Sequence, residues 1–168
     1  MTYNLTNLRK ISAALTAAGL SGNTLLLALA QVAHETGGYN DKKIDTHNNP
    51  AGIIYINKKT IQINATKGNP LPEAPKYHYA KFATLKDWAN DFIRIVGKKL
   101  RSATTAEDYA TKLKAGRYYT DTLKNYSNAL KGHLKKISTG IQKAEKDKPA
   151  APILFIIGFA VLAYLIVK

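Results

Sequence analysis

Residues 25–53 read LLLALAQVAHETGGYNDKKIDTHNNPAGI, and the junction in the middle of this stretch decides the fold. Thr24 to Glu35 is apolar on nearly every face, which predicts a helix buried at the centre of a helical domain. After Thr24 only Gln31 and His34 interrupt the apolar run before Glu35, and Gly37 and Gly38 then break the helix. A carboxylate set against an apolar core loses hydration in its charged form, so its pKa is expected to rise, as a general acid near neutrality requires. A helix-end acid that is simply solvated or paired with a lysine fits the same residues, and composition leaves both readings open. Beyond the glycines, Asn48 and Asn49 carry amides of the kind that read sugar hydroxyls, although asparagine is also a turn former.

Upstream, Leu5, Leu8, Ile11, Leu15 and Ala18 share one helical face, and Gly19 supplies a C-terminal stop. Downstream, Ile53 to Ile56 and then Ile61 and Ile63 favour a small β-hairpin. Asn69, Pro70, Pro72 and Pro75 are expected to exclude regular structure until a third short strand over 77–82. Helices resume after Thr84, with a stripe of Leu85, Trp88, Ala89, Phe92, Ile95 and Val96 ending at Gly97. Thr104 and Glu107 form a capping-box pair for a helix over 105–114, and a last helix spans about 122–138. The expected class is α+β and mainly helical, with a small β-lobe inserted after the central helix and a cleft between the lobes.

The 168 residues suit one domain. The formal net charge is +14, from 25 Lys and Arg against 11 acids. Residues 141–168 hold four of the lysines and two of the acids, leaving +12 for the rest. Such a balance implies an anionic partner: nucleic acid, anionic lipid or acidic wall polymer. The basic residues are scattered, without a reading helix or aromatic stripe, so nucleic acid is not expected. There is no cysteine, which rules out a disulfide scaffold and a thiolate nucleophile. His34, His47, His78 and His133 lack metal-ligand spacing, and no nucleotide-binding signature appears, so neither metal nor cofactor is expected.

From Pro149 to Val167 the chain carries no charge, and 19 residues at about 1.5 Å each approach the roughly 30 Å hydrocarbon core. The expected organisation is therefore a globular domain over 1–140, a charged linker over 141–149 and a transmembrane helix over 150–167. MTYNLTNLRK has no basic segment followed by an apolar one, so no cleavable leader is expected.

With these pieces in order, the chain resembles the bacterial and phage peptidoglycan β-N-acetylglucosaminidases of glycoside hydrolase family 73 type, which have a lysozyme-like fold. AQVAHETGGYN carries Gln31, Glu35, Thr36 and Gly37 onto that family's catalytic helix end, and NNPAGI carries Asn48, Asn49, Gly52 and Ile53 onto its Asn-rich loop. YAKFATLKDWANDFI, with Tyr79, Phe82 and Trp88, is similar to a later segment, and AGRYYTDTLKNYSNAL to the closing motif through Tyr118, Tyr119, Thr120, Asp121 and Tyr126. The resemblance spans about residues 10–137.

It implies hydrolysis of the glycan strand of peptidoglycan, with Glu35 as general acid and Tyr118, ahead of Tyr119, as the cleft tyrosine that holds substrate. Asn48, Asn49 and Gly52 would line the substrate, while Tyr55 and Tyr79 are candidates for stacking on sugar rings. A glycosidase commonly uses a second carboxylate. Glu73, in the proline-bounded loop, is the first candidate, Asp45 the second, and the substrate's 2-acetamido group a third. A muramidase of the same fold and a non-catalytic wall-binding or structural membrane protein are the rival readings. The expected partners are peptidoglycan, a lipid membrane reached through the C-terminal helix, and other virion proteins. The expected setting is a single-pass anchor in a virion membrane, with a host or bacterial cell membrane as the alternative.

Overall fold

In a computed structural model that describes residues 2–147, the first helix begins where the Asn4 side chain accepts the Asn7 N–H at 3.1 Å. Helix α1 (Leu5–Ala17) buries Leu8, Ile11 and Leu15, and Gly19, at φ +92°, turns the chain out of it. Helix α2 (Gly22–Glu35) has every residue from Leu25 to Ala33 buried, as its all-round apolar character requires. The short α3 (Lys43–His47) ends at Asn48 in the left-handed conformation.

The small sheet lies later in the chain than the isoleucine pattern predicts. It is one antiparallel pair, β1 (Ala65–Leu71) and β2 (Ala74–Phe82), joined by a turn at Pro72 and Glu73. Pro70 does not exclude β1, because the register shifts on either side of it and the strand is an edge, where a missing N–H is tolerated. Gly68 is needed there: a Cβ would stand 2.6 Å from the His47 ring and 2.8 Å from the Tyr79 carbonyl oxygen. The expected hairpin over 53–63 is instead a loop that only touches the sheet, through an isolated bridge between Ile54 and Tyr79.

Helix α4 (Leu85–Arg101) starts at a reciprocal cap: Asp87 N–H donates to Thr84 Oγ1 at 3.1 Å, and Thr84 N–H donates to Asp87 Oδ2 at 3.1 Å. Burial raises the Asp87 pKa, but the Thr84 hydroxyl, the Asn64 amide, the Thr84 N–H and Lys86 outweigh it, and the net shift is downward. Helix α5 (Ala106–Ala115) is capped one residue later than Thr104 and Glu107 suggest, with Thr105 Oγ1 accepting the Asp108 N–H at 3.1 Å. Helix α6 (Leu123–Asp147), opened by Thr122, continues through residues 141–147, where the sequence suggests a linker.

The described residues divide into two compact units, residues 2–18 with Glu35–Gly97, and Gly19–His34 with residues 98–147. The first holds the sheet and a core that includes Leu8, Ile11, Leu15, Tyr39, Ile44, Phe82, Trp88 and Phe92. The second holds the buried stretch of α2, and α5 with α6, which contribute Tyr109, Leu113, Tyr126, Leu130 and Leu134 to its core. Among the described residues no helix is long and apolar enough to cross a membrane, and the span expected over 150–167 lies outside them.

Candidate active site

Glu35 is the last residue of α2 and is exposed. The premise that the apolar core desolvates it is not met: full burial ends at Ala33, because a buried helix must surface for the chain to turn away, and α2 does so at Glu35. The turn beyond Glu35 is an unusual mount. Gly37, Gly38 and Tyr39 are all left-handed, at φ +57°, +77° and +69°. Glycine adopts this region freely, but for Tyr39 it stores strain that its surroundings must hold. They do so on several sides. Tyr39 is fully buried, its N–H donates to Thr36 Oγ1 at 2.9 Å, and its carbonyl accepts Asn7 Nδ2 at 3.1 Å. Asn40 Nδ2 donates to the Gly37 and Thr2 carbonyls, each at 2.8 Å, and the Gly38 carbonyl accepts the Asn4 N–H at 3.0 Å. A carboxylate thus leaves the helix at a backbone pinned to the start of α1, the kind of support that keeps a reacting group in one place.

The asparagine loop proves structural at its centre. Asn49 is fully buried, its Nδ2 donates to the Ile53 and Ala80 carbonyls at 2.8 Å each, and its Oδ1 accepts the Ile53 N–H at 2.8 Å. Its amide is committed to joining the loop to β2. Asn48 Nδ2 donates to the Phe82 and Ala83 carbonyls, at 3.0 and 3.1 Å. The same stapling brings Gly52, left-handed at φ +62°, against the Tyr79 ring, and the Lys43 ammonium stands 4.9 Å from that ring's centroid. Tyr55 lies beside β2 through its N–H to the His78 carbonyl at 2.8 Å, and its hydroxyl donates to Asn57 Oδ1. Asn48, Asn49, Gly52, Tyr55 and Tyr79 are therefore one local assembly. Glu73 stands exposed at the β1–β2 turn, whereas Asp45 is ion-paired with Lys10 at 3.5 Å.

The histidine of this loop is accounted for by packing. His47 Nε2 accepts the Asn69 N–H, so Nδ1 carries the proton toward Thr46 Oγ1 at 2.7 Å. Burial, then Lys81 and Lys43, lower its pKa against the opposing pull of Asp41.

Tyr118 and Tyr119 belong to the second unit. Tyr118 is half-buried and its N–H donates to the Leu113 carbonyl at 3.0 Å, after Arg117 turns the chain at φ +54°. Tyr119 is spent locally: its ring stacks on Tyr126 with centroids 3.8 Å apart, and its hydroxyl donates to the Ala110 carbonyl at 3.0 Å. Gln31 is likewise a core group, its Oε1 accepting the Tyr109 hydroxyl. Among the described residues no group of three or more His, Asp or Glu is arranged to hold a metal ion.

His133, buried in this unit beside the His34 ring, carries a pH dependence. Burial, then the His34 ring and Lys136, push its pKa down to about 4. Between the ordinary value of 6.5 and about 4 the unfolded chain binds the proton and the folded chain does not. Stability therefore falls as pH drops through that window. Urea unfolding at pH 7.5 and 4.5 should show a loss of roughly 2 kcal/mol, and His133→Phe should remove most of it. An unchanged pH slope in the variant would assign the loss to other groups.

The model of the glucosaminidase family, described as mannosyl-glycoprotein endo-β-N-acetylglucosaminidase, matches residues 12–139. Among solved structures, the glycoside hydrolase domain of Salmonella typhimurium FlgJ is similar at a TM-score of 0.61 and 21% identity, covering 87% of this chain and 95% of that one. A chain of a type VI secretion system effector–immunity complex from Pseudomonas protegens is similar at a TM-score of 0.53 and 19% identity, covering 78% and 93%. At these identities the two likenesses speak for the fold. Among curated proteins no relative matches the chain.

Proposed function

The chain belongs to the glucosaminidase family and is a glycoside hydrolase, and on that premise we propose that it cuts the glycan strand of peptidoglycan as an endo-β-N-acetylglucosaminidase. The observation that carries this reading is Glu35: an exposed carboxylate at the end of a buried helix, on a turn clamped by Thr36, Asn40, Asn4 and Asn7, inside the matched residues. The bacterial origin of the two similar structures and a net charge of +14, complementary to an anionic wall, support peptidoglycan as the glycan.

In the proposed mechanism protonated Glu35 donates to the glycosidic oxygen as the bond to the anomeric carbon breaks, and positive charge develops on the sugar ring. A second carboxylate or the substrate's acetamido oxygen stabilises that centre. Glu73 is the better protein candidate, since Asp45 already neutralises Lys10. Water then completes the hydrolysis. Tyr118 is proposed to hold the sugar, with Tyr79 and Tyr55 offering ring faces beside the Gly52 turn. The uncharged run over 150–167 is proposed to anchor the enzyme in a membrane, a virion membrane in this reading, after the segment 141–149.

Digestion of purified peptidoglycan, followed by borohydride reduction and mass spectrometry of the fragments, tests the bond. Fragments ending in reduced N-acetylglucosamine are expected. Fragments ending in reduced N-acetylmuramic acid would make the enzyme a muramidase.

A further inference from the structure

Gln62 organises the loop between α3 and β1. Its Oε1 accepts the Ile56 N–H at 3.0 Å, and its Nε2 donates to the Ile54 carbonyl at 2.9 Å and to Asp91 Oδ2 at 3.1 Å. The loop also closes on itself, with the Ile61 and Gln62 N–H groups donating to the Lys58 carbonyl at 2.9 and 2.8 Å. With Gln62 buried, its neighbours face out, Ile61 at 39% and Ile63 at 62% exposure. On the other arm Ile53 is buried, and Ile54 and Ile56 stand outward at 40% and 43%. The loop is thus held together by a buried polar side chain while its aliphatic side chains are turned to the surface.

Scattered exposed hydrophobic residues need no account, but this set is local and shares one short loop. Lys58 and Lys59 lie between the two arms, both exposed, and residues 53–63 include no acid. Aliphatic side chains offer a sugar neither a hydrogen bond nor a ring face, so the wall glycan is a poor occupant. Isoleucines flanked by lysines match instead the boundary between anionic headgroups and acyl chains, where apolar side chains enter and ammonium groups stay with the lipid charge.

We propose that loop 54–63 is a membrane-contact site for anionic lipid, with Ile54, Ile56, Ile61 and Ile63 entering the interface and Lys58 and Lys59 meeting the headgroups. The site is independent of the role of Glu35 and of any anchor at 150–167. It would set a face of the sheet-bearing unit against a bilayer.

Because the chain has no cysteine, a single Ile63→Cys variant of the full chain can carry an environment-sensitive fluorophore at the loop, and Leu5→Cys, exposed on α1, serves as the control position. Phosphatidylglycerol vesicles should shift the emission at position 63 to the blue and raise it. Nitroxide-labelled lipid should quench it, and position 5 should stay unchanged. Adding Lys58→Glu with Lys59→Glu should abolish the shift. The read-out is local, so capture of the chain through residues 150–167 does not produce it. The proposal is overturned if position 63 stays as wet on vesicles as in buffer, or if phosphatidylcholine gives the same shift. It is also overturned if the label is already shielded before lipid is added, which would assign the patch to another part of the chain or a second copy. Loss of wall hydrolysis with the lipid shift intact would bear on the glycosidase reading alone.

Discussion

Glu35→Gln should leave purified cell wall undigested, with turnover reduced about 10³-fold, while the urea midpoint stays at the wild-type value. Glutamine keeps the shape of the side chain but has no proton to give a leaving oxygen. Because Glu35 is exposed at the end of α2, the substitution removes no core packing, and its effect on folding should stay within about 0.5 kcal/mol. Activity and stability therefore separate, which a buried acid would not allow. If the variant clears wall as the wild type does, the proton comes from another group. If wild type clears none, the shell serves binding alone, and the non-catalytic reading takes its place. The mount contributes to the expected size of the effect: a carboxylate whose adjoining backbone is held by Thr36 and Asn40 does not have to be ordered when substrate arrives.

Much of this architecture is legible before any coordinates. Helical periodicity locates α1 and α4, a capping pair locates α5 to within one residue, and the all-round apolar character of α2 predicts its burial. Thr84 marks the start of α4 in the sequence, and its reciprocal partner Asp87 emerges only in the structure. The β-region fails for a physical reason. Ile53 to Ile63 carries strong strand propensity, yet its backbone groups pair with the Asn49 and Gln62 amides, with the Lys58 carbonyl inside the loop and with β2 at one bridge, so no second ladder forms. The true first strand hides behind Gly68 and Pro70, because the glycine makes room for the His47 ring, a contact across 21 positions that no local pattern reports. The same limit applies to the site. Gly37 and Gly38 announce a turn, but nothing local shows that Tyr39 shares their handedness, or that Asn4, Asn7 and Asn40 hold it. Nor does a run of apolar neighbours reveal which residue of α2 first meets water.

The largest effect on folding is expected from Asn49→Ala. The wild-type amide is fully buried, with both of its hydrogens on carbonyls, of Ile53 and Ala80, and its oxygen on the Ile53 N–H. Alanine removes three hydrogen bonds at once. The Ile53 carbonyl keeps the Ala80 N–H at 2.8 Å, but the Ile53 N–H loses its partner inside the protein. An unsatisfied buried donor and a broken staple together should cost roughly 3–4 kcal/mol, read as a lower urea midpoint at an unchanged slope. Asn49→Asp should be no better, since a buried carboxylate would face the Ile53 and Ala80 carbonyls in place of the two donors. Activity should fall with the folded fraction, and a variant assayed cold, where it remains folded, should recover most of its KM. The opposite result, wild-type stability with a raised KM, would return Asn49 to the substrate. The distinction matters for the site, because loop 49–53 carries Gly52 to the Tyr79 ring. If Asn49 is the staple, the asparagine pair of the motif is what builds the floor under Tyr79 and Tyr55, and sugar recognition there falls to the tyrosines it positions.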